Sequence, residues 1–464
     1  MKKQILFFWI SILIIFLWQF FLKNPIFNRI FFNYPENHIS NFLDLDKKNL
    51  IKWRICEEVD KRIFKTNYVI CSEKILKIWE KIFNKDIEWK FLVSTSLYPE
   101  YNFWDTLEIL WKLKTPLENE DFSYKNFLLK EKIFWIINFW RIKKIENQDL
   151  KLNFFEEQKF LFFQKIFQFK KNFLERIENI YPSPHSAFLS WLLIGDRKWL
   201  PDDVKSDFQK NWLAHIVAIS WYNITIIIIL ISWIFFFLPR RIWIILSVIF
   251  IILFTIFVWW TSAVVRASVM WILWLLALYY WREKNILILI MATIFLMSLW
   301  NPMMLWWDVW FHLSILAVIW IVYLVKIFEK FTKNIRNIFW IKEVILMTVS
   351  ASLMTFPLIS YDFWMVSLIS PIANLFIDPL TPLAMLFGFF SIIASYFNQI
   401  WIFHFFQEFF WFLTYSILDL ALKLSHYFAN IKYSFVEYQI SIFWVIFYFM
   451  ILWVIFRIFR DDFE

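Results

Sequence analysis

The pattern of apolar and polar positions changes period along the chain, and each change marks an element boundary. Ile5 to Leu22 form one apolar run behind Lys2 and Lys3. The run is long enough to span a bilayer and no small-residue cleavage site follows it, so residues 1–23 read as a retained anchor with a cytoplasmic start. Across residues 40–146 the runs become short and half-polar: NLIKWRICEEV, TNYVICSEKIL, WKFLVSTSLY and DTLEILWKLK. Period-two alternation between turn residues predicts strands, hence a small soluble β domain outside the membrane. Over residues 154–180 charges and apolar residues fall at helical spacing, which predicts an amphipathic helix on the membrane surface. The YPSPH turn at Tyr181 to His185 ends it.

Beyond that turn, apolar segments recur at 224–238, 242–260, 262–280, 286–300, 309–325, 342–360, 364–390, 391–425 and 441–459. Taking 391–425 as one long or broken helix gives nine alternating passes. The basic connections are Pro239–Arg241, Arg282–Lys284, the run from Lys326 and the terminal RIFRDD. Placing all four in the cytoplasm satisfies the positive-inside rule. The fold class is a polytopic α-helical membrane protein, with a multi-span domain over residues 185–460 and the β domain inserted after the first transmembrane helix. The localisation this predicts is the cytoplasmic membrane.

Composition agrees: 60% hydrophobic residues and a mean hydropathy of +0.54 exceed what a soluble fold uses. The net charge of +9 suits anionic lipid, and it suits a nucleic-acid partner as well. Cys56 and Cys71 can form a single disulfide if the β domain lies outside the cytoplasm and are otherwise ordinary buried thiols, and the sequence does not choose between the two. The counts of glycine and tryptophan depart furthest from the norm. The chain has 2 glycines and 31 tryptophans, where an average chain of this length has roughly 32 glycines. One reading is that UGA codons are glycine in the cell and stand here as tryptophan. The other is a Trp-rich membrane protein with interfacial indole belts. Belts do not account for tryptophan in turns such as RKWLP and NFWD, nor for the missing glycines.

Residues Gly195 to Ile226, GDRKWLPDDVKSDFQKNWLAHIVAISWYNITI, carry acid, base, histidine, serine and asparagine to the edge of a long apolar run. The stretch resembles the signature of the ComEC-type competence proteins, membrane proteins of bacterial DNA uptake, with tryptophan at 199, 212 and 221 where that family has glycine. SAVVRASVM at Ser262–Met270, NPMMLWWDVWFHLSILAVIW from Asn301 and SLISPIANLFIDPL at Ser367–Leu380 resemble three further family elements in the same order. In the β domain, YNFWDTLEILWKLKTP and FSYKNFLLKEKIFWI resemble the family's OB-like extracytoplasmic domain. The resemblance implies a channel for single-stranded DNA, with membrane lipid and unidentified competence proteins as further partners and a homo-oligomer left open. It also marks the signature and channel-lining candidates Asp196, Arg197, His215, Ser220, Trp221, Tyr222, Asn223, Arg266, Asp308, His312, Ser314 and Asn374.

Polar groups inside spans are costly in lipid, so Arg266, Asp308, His312, Asn374 and Asp378 must face protein, water or a passenger. Pro302, Pro371, Pro379 and Pro382 break helices where backbone lines a cavity. An OB barrel binds single strands on aromatics beside a basic groove, making Phe103, Lys112, Lys114, Phe122 and Tyr124 candidate contacts. The competing reading places these aromatics in the barrel core. A membrane-anchored DNA-binding module without its own channel is one alternative function, and an intramembrane hydrolase is another. His215 and Ser220 are five residues apart and share no helix face, and no third acid stands at a demanding spacing, so catalysis is not expected. No HxHxDH-type cluster occurs among the six histidines, and no metal or cofactor is called for. The metallo-β-lactamase-like domain of many family members therefore has no expected counterpart.

Overall fold

The computed structural model describes residues 49–61, 65–77, 90–103, 105–111, 128, 133–138, 142–145, 154–196, 200–213, 216, 221–235, 237–259, 261–280, 286–300, 308–332, 341–363, 365–432, 434–438 and 440–458. The anchor expected over residues 1–23 lies outside them. The chain divides into two compact units, one of Ile12–Asn172 with Met303–Asp308, the other of Phe173–Pro302 and Val309–Glu464 with Met1–Ser11.

The first unit holds seven strands, β1 (Asn49–Ile55), β2 (Asp60–Lys61), β3 (Thr66–Lys77), β4 (Lys90–Thr95), β5 (Thr106–Trp111), β6 (Ile133–Asn138) and β7 (Ile142–Ile145), of which β1, β3, β4 and β5 fall in the four predicted segments. Their order is β6-β4-β3-β1-β5-β7, with β2 on β3, and every pair is antiparallel except β4 with β6. A flat sheet of that order would hold β6 and β7 about 24 Å apart. Only residues 139–141 join them, a connection that reaches no more than about 14 Å. The sheet therefore curls, bringing the end of β6 within that reach of the start of β7. Ile55, Tyr68, Ile70, Phe91, Val93 and Leu107 fill its core, and Leu92 packs with Leu128, Ile133 and Ile136 in a second cluster.

Cys56 and Cys71 are bonded, with Cα atoms 5.7 Å apart, which settles the open alternative between a disulfide and two thiols. Helix α1 (Phe154–Ile180) follows the amphipathic prediction. Within the first unit its Lys170 Nζ donates to Glu58 Oε2 at 2.6 Å, and its Phe167 ring meets Phe103 edge-on at 4.8 Å.

The second unit is helical: α2 (His185–Ile194), α3 (Asp202–Lys210), α4 (Trp221–Ile234), α5 (Arg240–Phe257), α6 (Ser262–Tyr279), α7 (Ile286–Trp300), α8 (Val309–Phe331), α9 (Ile341–Phe363), α10 (Ser370–Ile377), α11 (Leu380–Tyr396), α12 (Trp401–Ala429) and α13 (Ile442–Ile458). Strands β8 (Met365–Ser367) and β9 (Phe435–Glu437) pair as an antiparallel ribbon. Among the described residues, Arg240–Phe257, Ser262–Tyr279 and Ser370–Tyr396 are long and apolar enough to cross a bilayer. Helices α4 to α9 and α13 fall close to the expected apolar segments.

The expected segments 364–390 and 391–425 are divided differently. The region opens with β8 rather than helix, and the break falls at Phe397–Ile400, not at 390. Asn398 and Gln399 supply the polar turn there, while the apolar run on both sides gave no boundary signal. Pro371 opens α10 and Pro379 precedes α11, so the chain is interrupted at Asp378–Pro379 as proline predicts.

The disulfide closes a separation of 15 residues, for which chain entropy gives about 3 kcal/mol. Replacing both Cys56 and Cys71 by serine is expected to lower the unfolding free energy of the β unit by that order. Thermal unfolding in detergent, with and without reductant, checks it: reductant should lower the midpoint of the parent and leave the double variant unmoved.

Candidate functional site

The signature stretch is built around closed helix ends. Helix α2 stops at Gly195, whose φ of 78° is left-handed and whose amide donates to the Trp191 carbonyl at 2.9 Å. A helix terminus leaves its last carbonyls without intrahelical partners. Asn223, in the first turn of α4 and 5% exposed, donates its side-chain amide to one of them, the Leu192 carbonyl, at 2.8 Å. Helix α3 begins after Pro201 with Asp202 and Asp203 in its first turn and Lys210 in its last, each on the favourable side of the helix dipole. Just past its end Asn211, fully buried, donates to the Ser425 carbonyl of α12 at 2.7 Å. Two signature asparagines thus tie helices together.

Around these ties lies one apolar cluster containing Leu189 and Ile194 of α2, Leu200, Phe208 and Leu213 of the signature, Ala373 and Ile377 of α10, and Leu418 and Phe428 of α12. Helix α10 is the start of the interrupted span and carries Asn374, 6% exposed, whose amide donates to Ser370 Oγ at 3.4 Å. Gly388 of α11 faces the same region: a Cβ there would stand 2.7 Å from Leu189 Cδ1 and 3.4 Å from Thr414 Cγ2. Absence of a side chain lets α11 approach both α2 and α12.

A second group forms where α4, α5 and α6 pack, through Ile224, Ile228, Ile244, Ile251, Ala267 and Leu275. Thr255 and Ser268 join α5 to α6 by a buried hydroxyl pair at 2.7 Å. Arg266 is 7% exposed, and its guanidinium carbon lies 5.7 Å from the centre of the Phe311 ring of α8, within cation–π range. The arginine-bearing and the FHLS-bearing segments therefore meet through a specific contact. Asp308 and His312 are buried and Ser314 is half-buried. Trp221 and Tyr222 occupy the first turn of α4, and Asp196 is half-buried beyond Gly195. Arg197, His215, Ser220, Lys112, Lys114, Phe122 and Tyr124 lie outside the described residues.

Sequence reasoning missed two polar groupings. His185 at the start of α2 stacks on Tyr415 with ring centres 4.4 Å apart. Its Nε2 is 3.5 Å from Asp419 Oδ1, and Asp419 Oδ2 accepts from Lys423 Nζ at 2.7 Å. Asp419 and Lys423 stand four apart on α12, a spacing that signals an ion pair, but nothing in the sequence links them to His185. Below α3, Asp203, Asp207, Lys423, Ser425, His426 and Asn430 line a cavity of about 610 Å³. His426 Nδ1 and Asp207 Oδ2 share a hydrogen bond of 2.8 Å across it. Val204, Phe208, Leu422, Tyr427 and Ile431 complete its walls, so apolar and polar groups line it together.

A family model described as "Competence protein" matches residues 192–461, more than half of the 464 residues. The chain belongs to the competence protein family. No curated protein and no solved structure matches it. Family membership gives the chain a role in DNA uptake for competence, and with the apolar helices it makes the chain a membrane protein. The matched region takes in the whole signature, Arg266 with Phe311, and the interrupted span. In this competence protein the family elements, far apart in sequence, fall into the two packed groups described above.

Asn211→Ala removes the amide from a buried carbonyl, at a cost of about 1–3 kcal/mol. Lower thermal stability in detergent and lower membrane abundance are expected, and unchanged values would show that the tie to Ser425 is idle. On α1, the Glu178 carboxyl sits above its ordinary range, first through burial, then through the Asp196 and Glu175 charges. Its ionised form is the disfavoured one in the fold, so stability falls as pH rises through the raised value, and the penalty is absent below the ordinary glutamate value of about 4.3. Glu178→Gln should therefore raise the melting midpoint slightly at neutral pH and not at acid pH, the gain being small because the side chain is open to solvent.

Proposed function

We propose that this competence protein is a channel that carries single-stranded DNA across the cytoplasmic membrane, its β barrel receiving the strand outside. The observation that carries the reading is the interrupted span α10–α11, packed on the signature. Interrupted helices at membrane depth are tolerated where they line a water-filled path, and helix ends there face polar passengers. The buried Arg266 fits the same picture.

Two features support the outside placement and the role of the barrel. A disulfide between Cys56 and Cys71 belongs to an oxidising compartment. The strand order, with β1 between β3 and β5 and a parallel β4–β6 pair, agrees with an OB-type Greek-key barrel. Phe103 is a poor candidate for stacking on bases, since its ring is engaged by Phe167. The strand contacts then fall to the basic and aromatic positions Lys112, Lys114, Phe122 and Tyr124. The channel needs no catalytic group or cofactor, and an enzyme is not proposed.

Arg266 tests the channel against a mere scaffold. A guanidinium inside a span is costly, reaching about 2.5–3.5 kcal/mol at the bilayer centre by insertion scales, and Arg266 lies just over one turn into α6. If a passing phosphate is its partner, Arg266→Gln should abolish uptake at unchanged membrane abundance, and Arg266→Lys should keep part of it because phosphate accepts a point charge. Transformation frequency and immunoblot of membranes report both quantities. Full uptake by the Gln variant would contradict the assignment, and a parallel loss of abundance and uptake would favour a scaffold.

A further inference from the structure

Left-handed backbone occurs at three helix ends among the described residues: Gly195 with φ 78°, Trp212 with φ 55° and Trp259 with φ 66°. The hydrogen bonds at 212 are those of a complete Schellman closure. Its amide donates to the Gln209 carbonyl at 3.0 Å, and the Leu213 amide reaches back to Phe208 at 2.8 Å. At 259 the amide donates to the Ile256 carbonyl at 3.1 Å, the inner bond of the same motif. Glycine is the usual occupant of this position because a Cβ there costs roughly 1–2 kcal/mol, and for a bulky side chain a positive φ is an outlier. Tryptophan supplies 31 of the 464 residues, yet it supplies both of these sites.

Buried indoles give an independent sign. Trp191 on α2 and Trp243 on α5 bury their ring N–H without an acceptor, although buried tryptophan ordinarily finds one and an orphaned donor costs about 1–3 kcal/mol. The glycines that are present, by contrast, each occupy a place only glycine fills well. Gly195 is left-handed, and Gly388 leaves no room for a Cβ without moving Leu189.

We infer that positions 212 and 259 are glycine in the protein the cell makes, their codons being UGA read as glycine. Position 259 lies in none of the family elements and is assigned by its backbone. The consequence at 212 is spatial: the indole there packs on Phe356 of α9 with ring centres 5.5 Å apart, so glycine leaves open the space between the signature turn and α9. At 259 the glycine closes α5 directly ahead of the helix that carries Arg266.

The test is peptide mass spectrometry on the protein purified from the membranes of its own host, with the gene's codons read in parallel. Peptides spanning 212 and 259 should carry glycine, the largest mass loss any substitution of tryptophan can give, and both codons should be UGA. Tryptophan in either peptide overturns the assignment at that position, and UGG codons at both overturn it altogether, whether or not the peptides are recovered. Neither readout depends on DNA uptake, so it stands or falls apart from the channel.

Discussion

Backbone polar groups at a helix end have no water to turn to inside an apolar bundle, and the membrane unit of this protein is arranged around meeting that demand. Helix α2 is closed by left-handed Gly195 and by the Asn223 amide on the Leu192 carbonyl. Helix α3 is closed by the left-handed residue at 212 and is tied to α12 through Asn211 and Ser425. Each closure lets the chain reverse within a few residues and keeps the signature compact. The signature so held packs against α10 and α12 in one apolar cluster.

From that arrangement follows the placing of the costly side chains. Arg266 lies over Phe311, Asn374 rides on the helix that packs against the signature, and His185 is held between Tyr415 and Asp419. Polar groups so held cost less than in lipid, and Asn374 stands on the interrupted span itself. The same economy explains why Asn223, expected from the sequence to line a path, ties α4 to the end of α2.

Much of this was legible in the sequence because two periods, 2 and 3.6, were clean where an element has one wet face. The strands around Ile55, Tyr68 and Phe91 and the helix from Phe154 to Ile180 are such cases. The partition of residues 364–425 was not legible, since an unbroken apolar run carries no period and the short β8–β9 ribbon rests on pairing with a segment about 70 residues away. Nor could spacing reveal that Asn211 meets Ser425 or that Phe103 meets Phe167, both being contacts that only the fold creates. Proline, by contrast, marked the Asp378–Pro379 interruption directly.

The account's central claim is passage of a strand through the membrane unit, and reconstitution measures it most directly. Purified full-length protein in lipid vesicles, offered a fluorescent single-stranded oligonucleotide and an imposed ion gradient, should accumulate strand that added nuclease cannot reach, in proportion to the protein present. Strand that binds the vesicles yet remains wholly digestible, across gradients of either sign, would contradict a channel and leave a DNA-binding membrane protein in its place.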